Sequence, residues 1–234
     1  MEDPLLWLQS NYIPFTLASA LIVLSLSAYC LRKPGLRISR GDVVVVTGAG
    51  SGIGRQLAID AARSGADIVL IDIDLQSIED TRMCIQQALL AGAIGELWCV
   101  QCDVSSEPAV KAAAAILTSQ MRKPVTVLIN NAGIVTGRRL MDADASAMTR
   151  CMAVNALAPM WMTRAFLPDM VAARRGAVVG MASTMGLVAA AQLTDYCASK
   201  WAHVGFMEAL RHELQVTQGG EHILAITVCP FAVS

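Results

Sequence analysis

Short apolar runs alternate with amphipathic stretches along most of this chain. The first run, VVVV at residues 43–46, leads into a glycine-rich stretch and then into RQLAIDAARSGA, whose apolar positions have helical spacing. Continuous apolar runs of this length are typical of strands buried on both faces of a parallel sheet. The six predicted strands span residues 43–46, 66–74, 96–104, 124–133, 177–183 and 222–230.

Helical patterns separate these strands. After the helix that follows the first strand, the predicted helices span residues 75–91, 107–119, 144–170 and 194–216. Regular alternation of strands and helices predicts an α/β fold, here a Rossmann-type doubly wound parallel sheet. Pro159 falls inside the third of these patterns, where we expect it to kink the helix locally.

The N-terminal stretch has a different pattern. Residues 15–31 contain no charged side chain, Arg32 and Lys33 follow at once, and the acidic residues of this region come before the apolar run. Length and flanks predict a membrane helix whose basic end, with the domain after it, faces the cytosol. A cleaved signal peptide would carry its positive charges first. Pro14 leaves a hairpin or monolayer insertion open as a variant.

These patterns divide the chain into three parts. We predict an N-terminal membrane anchor, a short linker broken by Pro34-Gly35, and one α/β domain. Their respective ranges are residues 1–33, 34–40 and 41–234.

Composition limits the classes of ligand and partner that we expect this protein to bind. Hydrophobic residues make up 55% of the 234 residues and charged residues 16%, with a net charge of −1. Without a basic cluster, we predict no nucleic-acid partner. Seven cysteines, an odd number without a disulfide framework, fit a reducing compartment. Cys99 and Cys102 form a CxxC, but no second Cys/His pair at ligand spacing accompanies them, so we predict no metal site.

The glycine-rich stretch is a candidate phosphate site. Glycines occupy positions 48, 50, 52 and 54, between a predicted strand and a predicted helix. Such a turn lets the backbone approach a pyrophosphate, and the unpaired N–H groups of the helix then face the anion. A glycine pattern alone is a weak signal, but the flanking strand and helix strengthen it.

Asp72 bears on which dinucleotide binds. It ends the second predicted strand, where a carboxylate can accept hydrogen bonds from adenosine ribose hydroxyls and would repel a 2′-phosphate. No Lys or Arg stands at Ser51 or directly after Asp72. We therefore predict NAD rather than NADP. Alternatively, Asp72 caps the next helix, a role that Asp74 could fill instead.

Tyr196 and Lys200 are candidate catalytic residues. Their spacing in YCASK places both side chains on one helix face, one turn apart. A phenol is a poor base, with an unperturbed pKa of ~10, and a nearby ammonium group favours its ionised form. Ser183, at the end of the fifth predicted strand, could hold a substrate oxygen while the phenol exchanges the proton.

Together these motifs resemble the short-chain dehydrogenase/reductase family. They are TGAGSGIG at 47–54, NNAG at 130–133, and the Asn155, Ser183, Tyr196 and Lys200 set, all in the family's order. The resemblance covers residues 42–230 and implies that Asn155 supports a water linking Lys200 to solvent. The residues that the resemblance places at the coenzyme are Gly48, Ser51, Gly52, Ile53, Gly54, Asp72, Asp103, Val104, Asn131, Ala132, Gly133, Tyr196 and Lys200.

A closer resemblance is to the membrane-anchored branch that handles retinol, 17β-hydroxysteroids and similar lipids. It rests on the anchor and on residues 183–214. It implies an NAD-dependent oxidoreductase that transfers a hydride between nicotinamide and a lipophilic alcohol or carbonyl. It also implies a location at the endoplasmic reticulum or lipid droplet, and a homodimer formed through helices at 155–174 and 194–216.

The sequence departs from the family after the sixth strand. Phe231 follows Pro230 where the family has glycine, and the family's threonine loop, substrate lobe and seventh strand have no counterpart. We therefore expect six strands, with the sixth at an open edge. The alternative hypothesis is an impaired or non-catalytic, membrane-tethered dinucleotide-binding module that pairs with another subunit.

Overall fold

The computed structural model describes residues 36–89 and 95–231 of the chain. The predicted membrane helix and its N-terminal flank lie outside the described residues. Among the helices of the described ranges, none combines the length and apolar character needed to cross a bilayer.

A six-stranded parallel sheet forms the centre of the fold. The strands lie in the order β3-β2-β1-β4-β5-β6, and every neighbouring pair is parallel. They are β1 (Val43–Thr47), β2 (Asp67–Asp72), β3 (Leu97–Gln101), β4 (Val127–Asn130), β5 (Gly176–Met181) and β6 (Ile223–Val228). The predicted Rossmann-type sheet of six strands is confirmed. Its order reverses between β1 and β4, where open α/β sheets bind ligands.

Six α-helices connect the strands within the described residues. They are α1 (Gly52–Arg63), α2 (Leu75–Ala88), α3 (Glu107–Gln120), α4 (Ala145–Met152), α5 (Ala158–Ala173) and α6 (Thr194–Val216). Polar side chains set several of their starts, because they accept the unpaired N–H groups of the first turn. Asp74 accepts the Gln76 N–H at 3.0 Å and so caps α2, which leaves Asp72 free of the capping role considered above.

The main core lies between the sheet and the helices α3, α5 and α6. The strand β1 is buried at every position, as four successive valines between two neighbouring strands require. Large side chains of α5 and α6 fill the space against the sheet: Met162, Phe166, Met170, Met207 and Leu210. This packing holds the carboxyl ends of β4 and β5 in a fixed position, and those ends carry the site.

The prediction of one continuous helix over residues 144–170 is wrong in one respect, because a different kind of turn interrupts it. The chain makes a π-helical turn at Ala153–Leu157 between α4 and α5, in which the Ala158 N–H donates to the Ala153 carbonyl. Pro159 directly follows and has no N–H to continue the α-helical hydrogen-bond pattern. The proline therefore changes the helix, as expected, but through a wider turn ahead of it. Such turns are frequent at functional sites.

The predicted fourth strand at 124–133 was too long. Only Val127–Asn130 is strand, because the N–H of Asn131 donates to the side-chain hydroxyl of Thr47 and to the Ile129 carbonyl rather than to a backbone carbonyl of a neighbouring strand. The strand β6 pairs with β5 alone in the described ranges, which confirms the expected edge position.

Candidate active site

The turn between β1 and α1 depends on close backbone approach. Gly48 has a φ of +65°, a conformation that L side chains rarely adopt. A Cβ added at Gly54 would overlap the Gly48 carbonyl oxygen, so the first turn of α1 lies directly on the loop. Ser51 makes no side-chain hydrogen bond to that turn. The first N–H groups of α1 therefore have no side-chain acceptor and can meet an anion.

Thr47 and Asn131 join this loop to the end of β4. The Thr47 hydroxyl accepts the N–H groups of Asn131 and Ala132, each at 3.0 Å. In return the Asn131 amide donates to the carbonyls of Thr47 and Gly48 at 3.0 and 3.3 Å. Sequence reasoning included Thr47 in the glycine motif but did not predict this link to the end of β4. Its place at the head of the glycine motif was the available signal.

A cavity of about 390 Å³ opens beside this loop. Ten of the predicted coenzyme residues line it: Gly48, Ser51, Gly52, Ile53, Asp72, Asp103, Val104, Asn131, Ala132 and Gly133. Gly54 instead packs behind the loop against Gly48. Arg150, which sequence reasoning missed, also lines this coenzyme cavity.

Two carboxylates shape the far end of the coenzyme cavity. Asp72 Oδ2 accepts the Gly50 N–H at 2.9 Å, so this side chain also holds the glycine loop. Asp103 accepts the N–H and hydroxyl of Ser105 at 3.0 and 2.6 Å. Those hydrogen bonds lower the pKa of Asp103, and the charge of Arg150 lowers it further. Asp103 therefore carries its charge at neutral pH.

A second cavity, of about 260 Å³, adjoins the first. The two share the lining residues Ile53, Asn131, Gly133 and Ile134. Ser183, Tyr196 and Lys200 all line this catalytic cavity. Ser183 lies in the turn two residues after β5 rather than in the strand as predicted, and α6 supplies the other two. The structure thus brings the three predicted catalytic groups together, next to the coenzyme cavity.

Lys200 is buried, with 4% of its surface exposed. Its Nζ donates to the Met181 carbonyl at 2.9 Å and lies 5.7 Å from the centre of the Tyr196 ring. Burial lowers the pKa of this ammonium group to about 8. A lysine in this state is cationic at pH 7 yet releases its proton only slightly above it. The ammonium is therefore available to influence the neighbouring phenol.

Asn155 lies fully buried in the π-helical turn. Its side-chain amide accepts the Ile134 N–H and donates to the Ile134 carbonyl, each at 2.8 Å. It also donates to the Ser199 hydroxyl at 3.0 Å. Asn155 lines neither cavity, but a Cβ on Gly133 would lie 3.4 Å from both Asn155 Oδ1 and Lys200 Nζ. The fourth member of the predicted set is thus close behind the cavity wall.

The residues present fit a nicotinamide dinucleotide. The glycine loop forms a cradle that a Cβ would obstruct, with helix N–H groups at one side and a carboxylate at the far end. The cradle continues into the cavity that holds a hydroxyl, a phenol and an ammonium group. Such an arrangement can bind the pyrophosphate, the adenosine ribose and a reactive ring in one line.

The profile described as short chain dehydrogenase matches residues 42–234. This chain belongs to the short-chain dehydrogenase family. The membership confirms the family predicted from the motifs.

Individual relatives agree with that result. The chain is 38% identical to retinol dehydrogenase 10-B of Danio rerio over 86% of this chain and 64% of that one. It is 40% identical to epidermal retinol dehydrogenase 2 of Mus musculus over 95% of this chain and 70% of that one. The chain thus spans about two thirds of the length of these relatives. Their names match the retinol branch that the sequence resembles.

Solved structures agree as well. A short-chain dehydrogenase/reductase from Burkholderia phymatum in complex with NAD superposes with a TM-score of 0.76 at 30% identity, over 85% of this chain and 68% of that one. A metagenomic short-chain oxidoreductase in complex with NADP gives a TM-score of 0.73 at 33% identity, over 84% of this chain and 85% of that one.

Proposed function

We propose that this short-chain dehydrogenase family member oxidises a lipophilic, retinoid-like alcohol, or reduces its carbonyl, with NAD as coenzyme. The observation that carries the proposal is the convergence of Ser183, Tyr196 and Lys200 on one cavity that adjoins the glycine cradle. Ser183 comes from the turn after β5 and the other two residues from α6, so the tertiary fold is what brings the three side chains to one cavity. Their chemistry is that of proton exchange at an alcohol oxygen.

The residues divide the work of the oxidation. The Ser183 hydroxyl donates to the substrate oxygen and holds it near the phenol of Tyr196. Tyr196, in its phenolate form, takes the hydroxyl proton. The Lys200 ammonium stabilises that phenolate. When bound, the nicotinamide supplies the acceptor for the hydrogen and electron pair that leave the substrate carbon. In reduction, Tyr196 returns the proton to the carbonyl oxygen.

The coenzyme preference rests on Asp72. Its carboxylate lines the coenzyme cavity, where it would accept bonds from a ribose diol and repel a 2′-phosphate. Arg150 is the one cation among the lining residues of the described cavity, and its charge acts on Asp103. Relatives in solved complexes hold NAD in one case and NADP in another, so this carboxylate is the feature that favours NAD.

The lipophilic substrate is supported by the rim of the catalytic cavity. Val135 and Phe231 line this cavity and are 59% and 76% exposed. Apolar side chains at a cavity mouth favour an apolar ligand over a sugar or an acid. The relatives named as retinol dehydrogenases point to the same class of substrate. The predicted anchor, location and homodimer rest on other features and stay predictions.

The test uses the full chain in mild detergent. NAD and NADP are titrated by calorimetry, and coenzyme reduction is then followed with all-trans-retinol, a 17β-hydroxysteroid and ethanol. We expect tighter binding of NAD and turnover with the two lipids but not with ethanol. Tyr196→Phe is the matched control, and it should bind NAD but turn over more than a hundredfold more slowly.

Each contrary result has a distinct meaning. Equal turnover by wild type and Tyr196→Phe would remove the assigned mechanism. NAD binding without turnover of any alcohol or carbonyl would favour the alternative, a tethered dinucleotide-binding module.

A further inference from the structure

A buried carboxylate that the proposed reaction does not use stands next to Tyr196. Asp195 is 9% exposed and lies in the first turn of α6. Both of its oxygens lie within hydrogen-bond distance of one hydroxyl, Thr136 Oγ1, at 2.8 and 2.7 Å. A carboxylate out of water needs such a partner, because leaving it without one is strongly unfavourable. The two residues lie far apart in sequence, so the tertiary fold creates this pair.

The pair gives the start of α6 a side-chain contact that its N-cap residue does not provide. Leu193 occupies the N-cap and offers no side-chain acceptor to the first turn. The negative charge of Asp195 is favourable at this positive end of the helix dipole. Its bond to Thr136 then fixes the first turn from outside the helix. Tyr196 belongs to that same turn, one residue further along.

Thr136 belongs to the segment that forms one wall of the catalytic cavity. Gly133, Ile134 and Val135 all line that cavity directly ahead of it. Asn155 holds the same segment from inside through both backbone groups of Ile134. The wall is thus tied at two points two residues apart, once to the π-helical turn and once to α6.

We propose that Thr136 and Asp195 form a positioning pair that sets the distance between this wall and the phenol of Tyr196. The inference rests on the proposed function, since it concerns the same cavity. Neither residue lines the coenzyme cavity, and Val135, the wall residue next to Thr136, lines the catalytic cavity but not the coenzyme cavity, so we expect the larger effect on the substrate side. Breaking it allows the first turn of α6 and the wall to separate. Small misplacements of a reacting group lower rates by up to about a hundredfold.

Thr136→Val and Thr136→Ser form a matched pair for the test. Valine keeps the shape of threonine but removes the hydroxyl, whereas serine keeps the hydroxyl. In Thr136→Val we expect kcat with retinol to fall at least tenfold while the calorimetric dissociation constant for NAD changes less than twofold. Thr136→Ser should keep most of the wild-type kcat.

A second readout does not need turnover. Amide hydrogen exchange of residues 193–199 should become faster in Thr136→Val but not in Thr136→Ser, because the first turn of α6 loses its external contact. If the wild type turns over no alcohol, the proposed function fails while this readout still tests the pair. Unchanged exchange in Thr136→Val, with unchanged kcat, would overturn the inference.

A double variant guards against a general loss of stability. If the two residues act as a pair, Asp195→Asn combined with Thr136→Val should lower kcat by much less than the product of the single effects. Fully multiplicative effects on kcat would show that the residues act independently and would contradict the pair.

Discussion

The coenzyme cavity and the catalytic cavity share a wall but are built from different materials. The coenzyme side is mostly backbone: a loop whose glycines let β1 and α1 approach, and helix N–H groups with no side-chain acceptor. The catalytic side is mostly side chain: a hydroxyl, a phenol and a buried ammonium group brought together by the turn after β5 and by α6. Substitutions on the catalytic side should therefore act by removing reactive or buried groups. Substitutions on the coenzyme side should act by filling the space that the glycines leave open.

The largest effect is expected on the catalytic side. Lys200→Met removes the buried ammonium beside Tyr196 and should lower turnover at pH 7 by about a thousandfold. Because burial lowers the pKa of Lys200 to about 8, the wild type itself loses this charge as the pH rises through 8. The ratio of the two rates should therefore shrink between pH 7 and 9.5. A ratio that stays constant over that range would contradict the assigned role.

A second buried group on the catalytic side predicts acid sensitivity. His203 is 1% exposed, and neither of its ring nitrogens has a hydrogen-bond partner in the described part of the chain. Burial lowers its pKa to about 4 from 6.5, and the charge of Lys200 adds to this. The unfolded chain therefore binds a proton between pH 6.5 and 4 that the folded chain rejects. Stability is complete above this window and falls as the pH drops through it.

In His203→Leu, the loss of unfolding free energy on acidification should be smaller than in the wild type by about 3 kcal/mol. Urea unfolding at pH 7.5, 6, 5 and 4.5 measures it, as the difference between variant and wild type at each pH. The exposed His212 provides the control, and His212→Leu should keep the wild-type dependence. Parallel curves for wild type and His203→Leu would refute the prediction.

On the coenzyme side, Gly54→Ala tests the role of space. The added methyl group overlaps the Gly48 carbonyl oxygen, so the backbone must shift. We expect a loss of about 2 kcal/mol in the free energy of unfolding and at least a tenfold weaker affinity for NAD. Gly205→Ala in α6 is the matched control, because a Cβ there meets no atom within 4 Å. That variant should gain up to about 1 kcal/mol and bind NAD normally.

The smallest effect is expected at Asp72. Asp72→Asn keeps an oxygen that can accept the Gly50 N–H but removes the charge that would oppose a 2′-phosphate. The ratio of NADP to NAD affinity should therefore rise about tenfold. Calorimetric titration with both coenzymes measures the ratio. If NADP gains nothing, then Asp72 acts on the loop and not on the choice of coenzyme.

Local signals predicted the fold well where the chain itself contained the reason. The helix α6 has the predicted bounds, and the valines of β1 are as buried as their pattern indicated. Prediction was poorer where neighbours decide. The end of β4 depends on the Thr47 hydroxyl, and the π-helical turn accommodates both Pro159 and the contacts of Asn155 with Ile134. The local pattern does not show which partners Thr47 and Asn155 contact.

The sequence by itself determined the order of elements, the glycine loop and the candidate reactive side chains, because each is given by the residue types and their order along the chain. Only the tertiary structure decided which groups meet. Ser183 lies near Tyr196 and Lys200 because β5 ends beside α6. Asp195 contacts Thr136 because the segment after β4 lies against the first turn of the same helix. Burial that lowers the pKa of Lys200 is likewise a property of the packed fold, since no local pattern sets how much water a side chain loses.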